Sequence, residues 1–377
     1  MRILVLIHEF PPIGGGGGRA AQDICAHLVK RGHEVTILTA HMKGLSLKEE
    51  KDGLCVIRVP SFRTQAFAAS FGTMVAFVLA GFWAGLRLIS EKRPDVIHAH
   101  FAVPAGALAF ALSALTGIPY MLTAHLGDVP GGVPEKTDRW FRWIMPFTYM
   151  IWKRAKRVAA VSEFTRELAL AHYPVKITVI PNGTDLEKAT PSIVRINQPP
   201  RIVFAGRLVP QKNPLAIIRV LAGLRNLSWR CAMLGDGPLF EEVKREIEKA
   251  GMQERFDLPG WVTPEEVLEW LSRSDILFMP SSSEGLPVVG VQALAEGLAI
   301  VASSIGGFID LVDNEENGFL IDVNDEDRFK ECLETLISNP SLLLRFRQAS
   351  LSKAGAFGID RIASQYEALL QEVSHGH

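Results

Sequence analysis

Two loops collect the residue types that phosphate and sugar chemistry needs. Gly206-Arg207-Leu-Val-Pro-Gln-Lys212 places a guanidinium and an ammonium five residues apart, directly after the apolar run Arg201-Ile-Val-Phe-Ala205. Arginine offers phosphate oxygens a planar fork and lysine a point charge. Pro280-Ser-Ser-Ser-Glu284-Gly-Leu-Pro287 follows another apolar run and opens a helix near Val288. Such a loop can aim backbone N–H dipoles at a phosphate while its carboxylate reaches sugar hydroxyls. Glu284 and the serines acting as simple helix caps would account for the same residues. Near the amino terminus, five glycines (Gly14 to Gly18) separate a strand from a helix running to about Lys30. Glycine there lets backbone N–H groups approach an anion at a helix N-terminus, or merely makes a flexible turn.

Other chemistries lose a key residue. The second strand, Glu34 to Ala40, ends at Ala40-His41 with no carboxylate to bind a ribose, which argues against a nicotinamide dehydrogenase. No Gly-Lys-Ser/Thr follows the glycine run, which argues against a triphosphate-binding loop. The one DxD string, Asp325-Glu-Asp327, precedes a helix and reads as its cap, not as a metal site. His98 and His100 share one strand face and have ligand chemistry, but no third ligand stands near them; histidines at a sheet end explain them as well.

These loops need a scaffold that presents strand ends. Strand-length apolar runs at 2–8, 34–40, 55–59, 95–99, 119–123, 157–161 and 176–180 alternate with helical patterns. The alternation restarts at 201–205, 230–234, 255–258, 275–279, 299–302 and 318–321. Steady alternation predicts parallel sheets covered by helices on both faces. Three prolines in 189–200 mark a linker. The expected architecture is α/β, with two doubly wound domains binding ligands outside the carboxyl ends of their strands, in a cleft between them.

At this point the chain resembles the retaining glycosyltransferases of family 4, which have the GT-B fold of two Rossmann-like domains facing across a cleft. The resemblance rests on Gly206-Arg207…Lys212, Gly235-Asp-Gly-Pro238, Glu284-Gly-Leu-Pro287, Ser304-Ile-Gly-Gly307 and Pro181-Asn-Gly-Thr-Asp185. Phe10-Pro-Pro12 with the glycine run, Thr123-Ala-His125, Val161-Ser-Glu-Phe164 and Asp360-Arg-Ile-Ala-Ser-Gln-Tyr366 extend it along the whole chain in order. It implies an acceptor-binding domain at 1–188, a linker at 189–200 and a nucleotide-sugar domain at 201–356. It also implies a terminal helix at 357–377 packing back on the first domain.

The roles implied are specific. Arg207 and Lys212, after Gly206, would neutralise a donor diphosphate. Glu284 would hold donor-sugar hydroxyls, with Gly285, Leu286 and Pro287 presenting N–H groups. His125 would sit beside the reacting carbon, Gly15, Gly16 and Gly17 would close over the diphosphate, and Gly260, Trp261 and Val262 would meet the base. The family signature is Glu, seven residues, Glu; here the second position is Gln292, and Asp310 stands where Glu commonly follows the paired glycines. Glutamine accepts a ribose hydroxyl without charge, which should weaken nucleotide binding more than chemistry. The implied reaction moves a sugar from a nucleotide-diphosphate sugar to a hydroxyl of a glycan or lipid-linked acceptor, with retention by front-face attack. No metal or other cofactor is required on that reading, and no nucleic-acid partner is expected. Competing classes are a nucleotide-sugar-binding protein whose catalysis has decayed, and another GT-B enzyme such as an epimerase or phosphorylase.

Composition frames these expectations. The chain has 377 residues, 48% hydrophobic and 21% charged, a globular balance large enough for two cores. Net charge is −1, yet residues 1–190 carry 22 Lys and Arg against 15 Asp and Glu, and residues 191–377 carry 18 against 26. A basic first half suits an anionic partner, or both halves are simply solvated. Cys25, Cys55, Cys231 and Cys332 are far apart, which fits a reducing compartment. Arg2 to Ile7 is too short for a signal-peptide core, so a cytoplasmic protein is expected. Residues 64–86 carry no charge and are long enough to span a bilayer, but their glycines and the strand that follows favour a buried crossover helix. Residues 131–160 interleave Trp140, Phe141, Trp143, Phe147, Tyr149 and Trp152 with Lys136, Arg139, Arg142, Lys153, Arg154, Lys156 and Arg157. That pattern suits either contact with an anionic membrane surface, placing the protein peripherally on the inner face of the plasma membrane, or a core helix with a basic last turn.

Overall fold

The computed structural model describes residues 1–65, 69–189 and 194–375, side chains at 134–143 excepted. The chain forms two compact units: Met1–Gly183 with Ile359–His377, and Thr184–Gly358.

In the first unit, β1 (Arg2–Leu6) buries Ile3 and Val5 on one face and Leu4 and Leu6 on the other. A strand covered on both sides needs apolar residues at both phases of its two-residue period. With β2 (Glu34–Met42), β3 (Lys48–Lys51), β4 (Leu54–Arg63), β5 (Val96–His100), β6 (Tyr120–Ala124), β7 (Arg157–Ala160) and β8 (Ile177–Val179), it forms a sheet ordered β3-β4-β2-β1-β5-β6-β7-β8. Every pairing is parallel except β3 with β4. The sequence pattern contains no signal for β3, because Lys48-Glu-Glu-Lys51 has no apolar face. Those charges suit an edge strand, where they discourage pairing with another chain.

Helix α1 (Gly16–Lys30) covers the Ile3/Val5 face, while α2 (Phe71–Lys92), α3 (Ala107–Thr116), α4 (Pro134–Arg154) and α5 (Glu163–Leu170) cover the Leu4/Leu6 face. The uncharged stretch at 64–86 thus supplies most of the crossover from β4 to β5. Its burial is one-sided: Phe77 is fully buried, whereas Phe71, Leu79 and Trp83 face solvent. The buried side approaches α3 closely, since a Cβ on Gly81 or Gly85 would stand 2.7 Å from Leu108 or Leu112. In the aromatic and basic stretch, Trp140, Phe141, Trp143, Lys136, Arg139 and Arg142 lie outside the described side chains. The rest divides: Trp152 is buried and stacked on Tyr173 at 4.4 Å, Tyr149 is half-buried, and Phe147, Lys153, Arg154, Lys156 and Arg157 are exposed.

The second unit contains β9 (Arg201–Ala205), β10 (Arg230–Leu234), β11 (Phe256–Gly260), β12 (Ile276–Met279), β13 (Ala299–Ser303) and β14 (Gly318–Ile321). All are parallel in the order β11-β10-β9-β12-β13-β14. The order reverses between β9 and β12, and an open sheet of this kind binds ligands outside the carboxyl ends at that reversal. Around it lie α6 (Pro214–Ala222), α7 (Phe240–Lys249), α8 (Pro264–Ser272), α9 (Val288–Ala295), α10 (Phe308–Leu311), α11 (Glu326–Ser338) and α12 (Pro340–Ala354). Asp325 caps α11 by accepting the Arg328 N–H at 2.9 Å.

A buried ion pair, Arg347 with Asp275, organises the entry to this unit. Asp275 also accepts the backbone N–H groups of Asn197 (3.2 Å) and Arg201 (2.7 Å), and Arg347 donates to the Arg195 carbonyl at 2.7 Å. Buried charges persist when paired and hydrogen-bonded. They tie residues 195–201 to the second unit, so the later part of the expected linker is anchored there. The units divide at Gly183/Thr184, ahead of the expected boundary at 188, and again at Gly358/Ile359. The last helix, α13 (Ile359–His375), belongs to the first unit. It buries Ile362, Tyr366 and Leu370 with Ile24 and Leu28 of α1, and Glu367 accepts from Arg31 (2.6 Å) and contacts His33 (2.7 Å).

Candidate active site

The carboxyl edge of the second sheet collects the loops singled out in the sequence. After β9, Gly206 leads into a short turn, Pro210–Lys212, whose Lys212 ammonium contacts a carboxylate oxygen of Glu284 from the loop after β12. Both side chains are largely buried. One side-chain and one backbone hydrogen bond brace the two loops: Gln211 Nε2 donates to the Ser283 carbonyl at 2.9 Å, and the Ser282 N–H donates to the Gln211 carbonyl at 2.8 Å. A cation and an anion are therefore held together at the point where the strand order reverses.

Glycine is required where a third loop presses on this pair. Gly306 has φ +49° and a Cβ there would lie 1.7 Å from the Glu284 carbonyl oxygen; on Gly307 it would lie 2.0 Å from that of Gly285. The Gly307 N–H donates to the Glu284 carbonyl at 3.3 Å. Gly285, Leu286 and Pro287 lead directly into α9, whose N-cap is Pro287 with no side-chain cap; the Gly290 and Val291 N–H groups donate to the Pro287 carbonyl at 2.9 and 3.2 Å, and the positive end of the helix dipole faces this loop. Gln292 lies one turn inside that helix and is half-buried. Gly260 ends β11 at φ +76° and accepts the Gly235 N–H at 2.8 Å, with the Trp261 ring exposed beside it and Val262 next. Arg207 follows Gly206 on the same edge and is half-buried.

The first unit holds a different constellation at the carboxyl ends of β1, β5 and β6. His125, just past β6, stacks on Phe101 with ring centroids 4.1 Å apart. A Cβ on Gly17 would meet the Phe101 ring at 2.8 Å and the His125 ring at 3.3 Å, so the glycine turn packs directly on both. Gly15 is the N-cap of α1 with no side-chain cap, and Gly16 is the first helical residue. Asp128 locks the arrangement, one carboxylate oxygen accepting the His125 N–H and the other the Ala102 N–H, each at 2.8 Å.

Burial sets the charge of this cluster. It pushes His125 down to about 3, with the nearby His8 a smaller cause, and His8 itself down to about 4. His98 falls to about 3 and His100 well below its ordinary value for the same reason. Burial also pushes Asp128 up to about 7, against the backbone N–H bonds that favour its charged form. Four neutral imidazoles thus line the strand ends, and His125 Nε2 has no partner among the described residues. His98 Nε2 contacts Thr123 Oγ1 at 2.8 Å, and the His98 and His100 rings lie 4.2 Å apart, close to Tyr366. Among the described residues no group of three His, Cys, Asp or Glu side chains is placed to hold a metal ion.

Three residues of this constellation, His8, Phe101 and Asp128, escaped sequence reasoning. Phe101 has no type or spacing signal, because its place depends on a backbone φ of +72°. Asp128 had one, a carboxylate three residues beyond His125 that can cap the turn His125 begins.

With the geometry in place, comparison with known proteins is decisive. Residues 14–188 match the model of Glycosyltransferase Family 4, and residues 187–353 match that of Glycosyl transferases group 1. The chain belongs to glycosyltransferase family 4. The two matches meet within a few residues of the boundary between the units. A relative from Escherichia coli, UDP-Gal:alpha-D-GlcNAc-diphosphoundecaprenol alpha-1,3-galactosyltransferase, is 28% identical over 74% of this chain and 77% of its own. The sucrose-phosphate synthase of Thermosynechococcus elongatus superposes with a TM-score of 0.86 at 18% identity, covering 100% of both chains. An Anabaena protein solved in complex with UDP-glucose superposes with a TM-score of 0.78 at 19% identity, over 99% of this chain and 100% of its own. The fold is therefore GT-B and the protein is a glycosyltransferase. Within this transferase, the pair Lys212–Glu284 belongs to the second unit and the His125 cluster to the first.

Proposed function

We propose that the protein is a retaining, metal-independent transferase that moves a sugar from a nucleoside-diphosphate donor to a hydroxyl of a glycan or lipid-linked acceptor. The donor is assigned to the second unit and the acceptor to the first. One observation carries the reading: an ammonium and a carboxylate in contact at the strand-order reversal, beside the uncapped N-terminus of α9. A nucleoside-diphosphate sugar presents both a diphosphate for the first and hydroxyls for the second.

Breaking the bond between the anomeric carbon and the diphosphate builds negative charge on the leaving group and positive charge on the sugar. Lys212 and Arg207 bind the departing oxygens more tightly as that charge grows, and the α9 N–H groups add fixed dipoles; both lower the barrier. Glu284 accepts hydrogen bonds from donor-sugar hydroxyls and fixes the sugar's orientation. His125 stays neutral at working pH because it is buried, so within the first unit it offers a hydrogen bond as a neutral imidazole. The leaving phosphate takes the acceptor's proton as the hydroxyl attacks from the same face, which gives retention. The positive charge that a metal would bring to the diphosphate is supplied here by Arg207 and Lys212, and Asp325 of the DxD string is committed to capping α11.

Incubation with a panel of nucleotide sugars and hydroxyl acceptors tests the reading. Release of nucleoside diphosphate, a product with the donor's anomeric configuration, and a rate unchanged by EDTA are expected. Inversion or loss of activity in EDTA would overturn those two parts. The Gln292 substitution is the observation behind a second reading, a donor-binding protein without turnover; tight binding with no nucleoside diphosphate release from any donor would favour it.

A further inference from the structure

The outer face of α2 bears an apolar stripe that sugar transfer does not use. Phe71, Val75, Leu79 and Trp83 recur every four residues and are 65%, 40%, 63% and 73% exposed. No charged side chain occurs from Phe71 to Leu86. The opposite face is fixed in the core through Phe77, Gly81, Gly85, Leu88 and Ile89, so the stripe is not the result of a loosely docked helix. Helices α2 and α4 both pack against α3 on the same side of the sheet. The outer surface of α3 adds Leu115 and that of α4 adds Phe147 and Met150. Monomeric proteins rarely leave so many large apolar side chains on one layer without a partner for them.

The charge around the stripe says which partner. Lys153 and Arg154 follow Met150 and are exposed, and Arg87, one turn after Trp83, is exposed and pairs with Glu91 at 2.7 Å. In the first unit Lys and Arg outnumber Asp and Glu by 22 to 16. Two copies meeting through this face would bring like charge together, whereas anionic headgroups would attract it. We propose that the α2–α3–α4 layer docks on an anionic lipid surface, with α2 lying in the plane of the interface. Apolar side chains on one face of a helix, an aromatic residue at headgroup depth and flanking cations are what that geometry needs. The helix lies on the bilayer and does not cross it, because Phe77 and Ile89 belong to the sheet's core.

The position of the stripe relates it to the active site. Arg63, at the end of β4, donates to the His8 carbonyl at 3.3 Å and pairs with Glu9 at 3.2 Å, beside the glycine turn. The His8 ring, just past β1, lies 6.5 Å from the ring of Phe77 in the first half of α2, so the stripe begins by the sheet edge that carries Gly15 to Gly17 and His125. If the proposed transferase reading holds, docking presents that edge to lipid-linked hydroxyls; docking itself does not depend on the reading.

Co-sedimentation with phosphatidylcholine vesicles, with and without a quarter phosphatidylglycerol, tests the proposal on the full chain. The wild type should bind the anionic vesicles at low salt and bind them at least tenfold more weakly at high salt. The double variant Leu79→Glu, Trp83→Glu should lose at least tenfold in vesicle affinity while keeping the wild-type melting temperature and its rate of nucleoside diphosphate release to soluble acceptors. Wild-type protein that stays in the supernatant with anionic vesicles at low salt would overturn the proposal, as would a double variant that binds like wild type. Light scattering that shows a wild-type dimer, converted to monomer by the same substitutions, would assign the stripe to a second copy instead. Failure of donor turnover in both proteins would count against the transferase reading and leave the docking result standing.

Discussion

Lys212 and Glu284 neutralise one another in the second unit, so each substitution removes an interaction and strands a partner. Glu284→Ala leaves the Lys212 ammonium without its carboxylate, and Lys212→Ala leaves a nearly buried carboxylate unpaired. Loss of one preorganised group that meets charge in the transition state costs on the order of 10²–10³-fold in kcat. Glu284→Ala should fall by at least that much in steady-state transfer. Gln292→Glu restores a charged acceptor one turn inside α9, and should tighten nucleoside diphosphate binding by about three- to tenfold, measured by calorimetry, with kcat nearly unchanged. The chemistry of Arg207, Lys212 and Glu284 was legible in the sequence because type and spacing after a strand carry it. The contact between Lys212 and Glu284 was not, since it joins residues 72 positions apart through the Gln211–Ser283 brace. Phe101 was invisible for a related reason, because its ring reaches His125 through one unusual backbone angle.

At the scale of elements, glycine turns let three loops approach without side chains between them. Gly306→Ala must displace either the Glu284 backbone or its own loop, since the added carbon would sit 1.7 Å from a carbonyl oxygen at a positive φ. A destabilisation of about 1–3 kcal/mol is expected from denaturant unfolding, together with weaker donor binding. Gly15→Ala meets nothing within 4 Å and should leave folding and the unfolding midpoint nearly unchanged. The alternation of strands and helices was readable because apolar runs of strand length recur through both units. The charged β3 was not, because an edge strand needs no apolar face. The one-sided burial of α2 was also hidden: a uniformly apolar helix has no polar face to mark the side left in solvent.

Across the whole molecule, charge and histidine are unevenly divided. All ten histidines belong to the first unit, and four of them are buried with lowered pKa values. A histidine that is neutral in the folded state and protonated when unfolded contributes stability that is complete above about pH 6.5 and lost as pH falls toward 3 or 4. Each can contribute at most about 1.4 kcal/mol per pH unit in that window. Asp128, raised to about 7, acts in the opposite direction, its contribution lost as pH rises from about 4 to 7. The histidines outnumber it, so the first unit should unfold before the second as pH falls below 6, and calorimetry at pH 7 and pH 5 should show one transition shifting far more than the other. Equal shifts would mean that the imidazoles are not held neutral.

The central claim is that the second unit holds a departing diphosphate through its cations. The direct measurement is kcat/KM for the preferred nucleotide sugar in wild type and in Lys212→Ala, with circular dichroism confirming that both are folded. A fall on the order of 10²-fold or more is expected. A folded variant that turns over the donor at nearly the wild-type rate would contradict the claim.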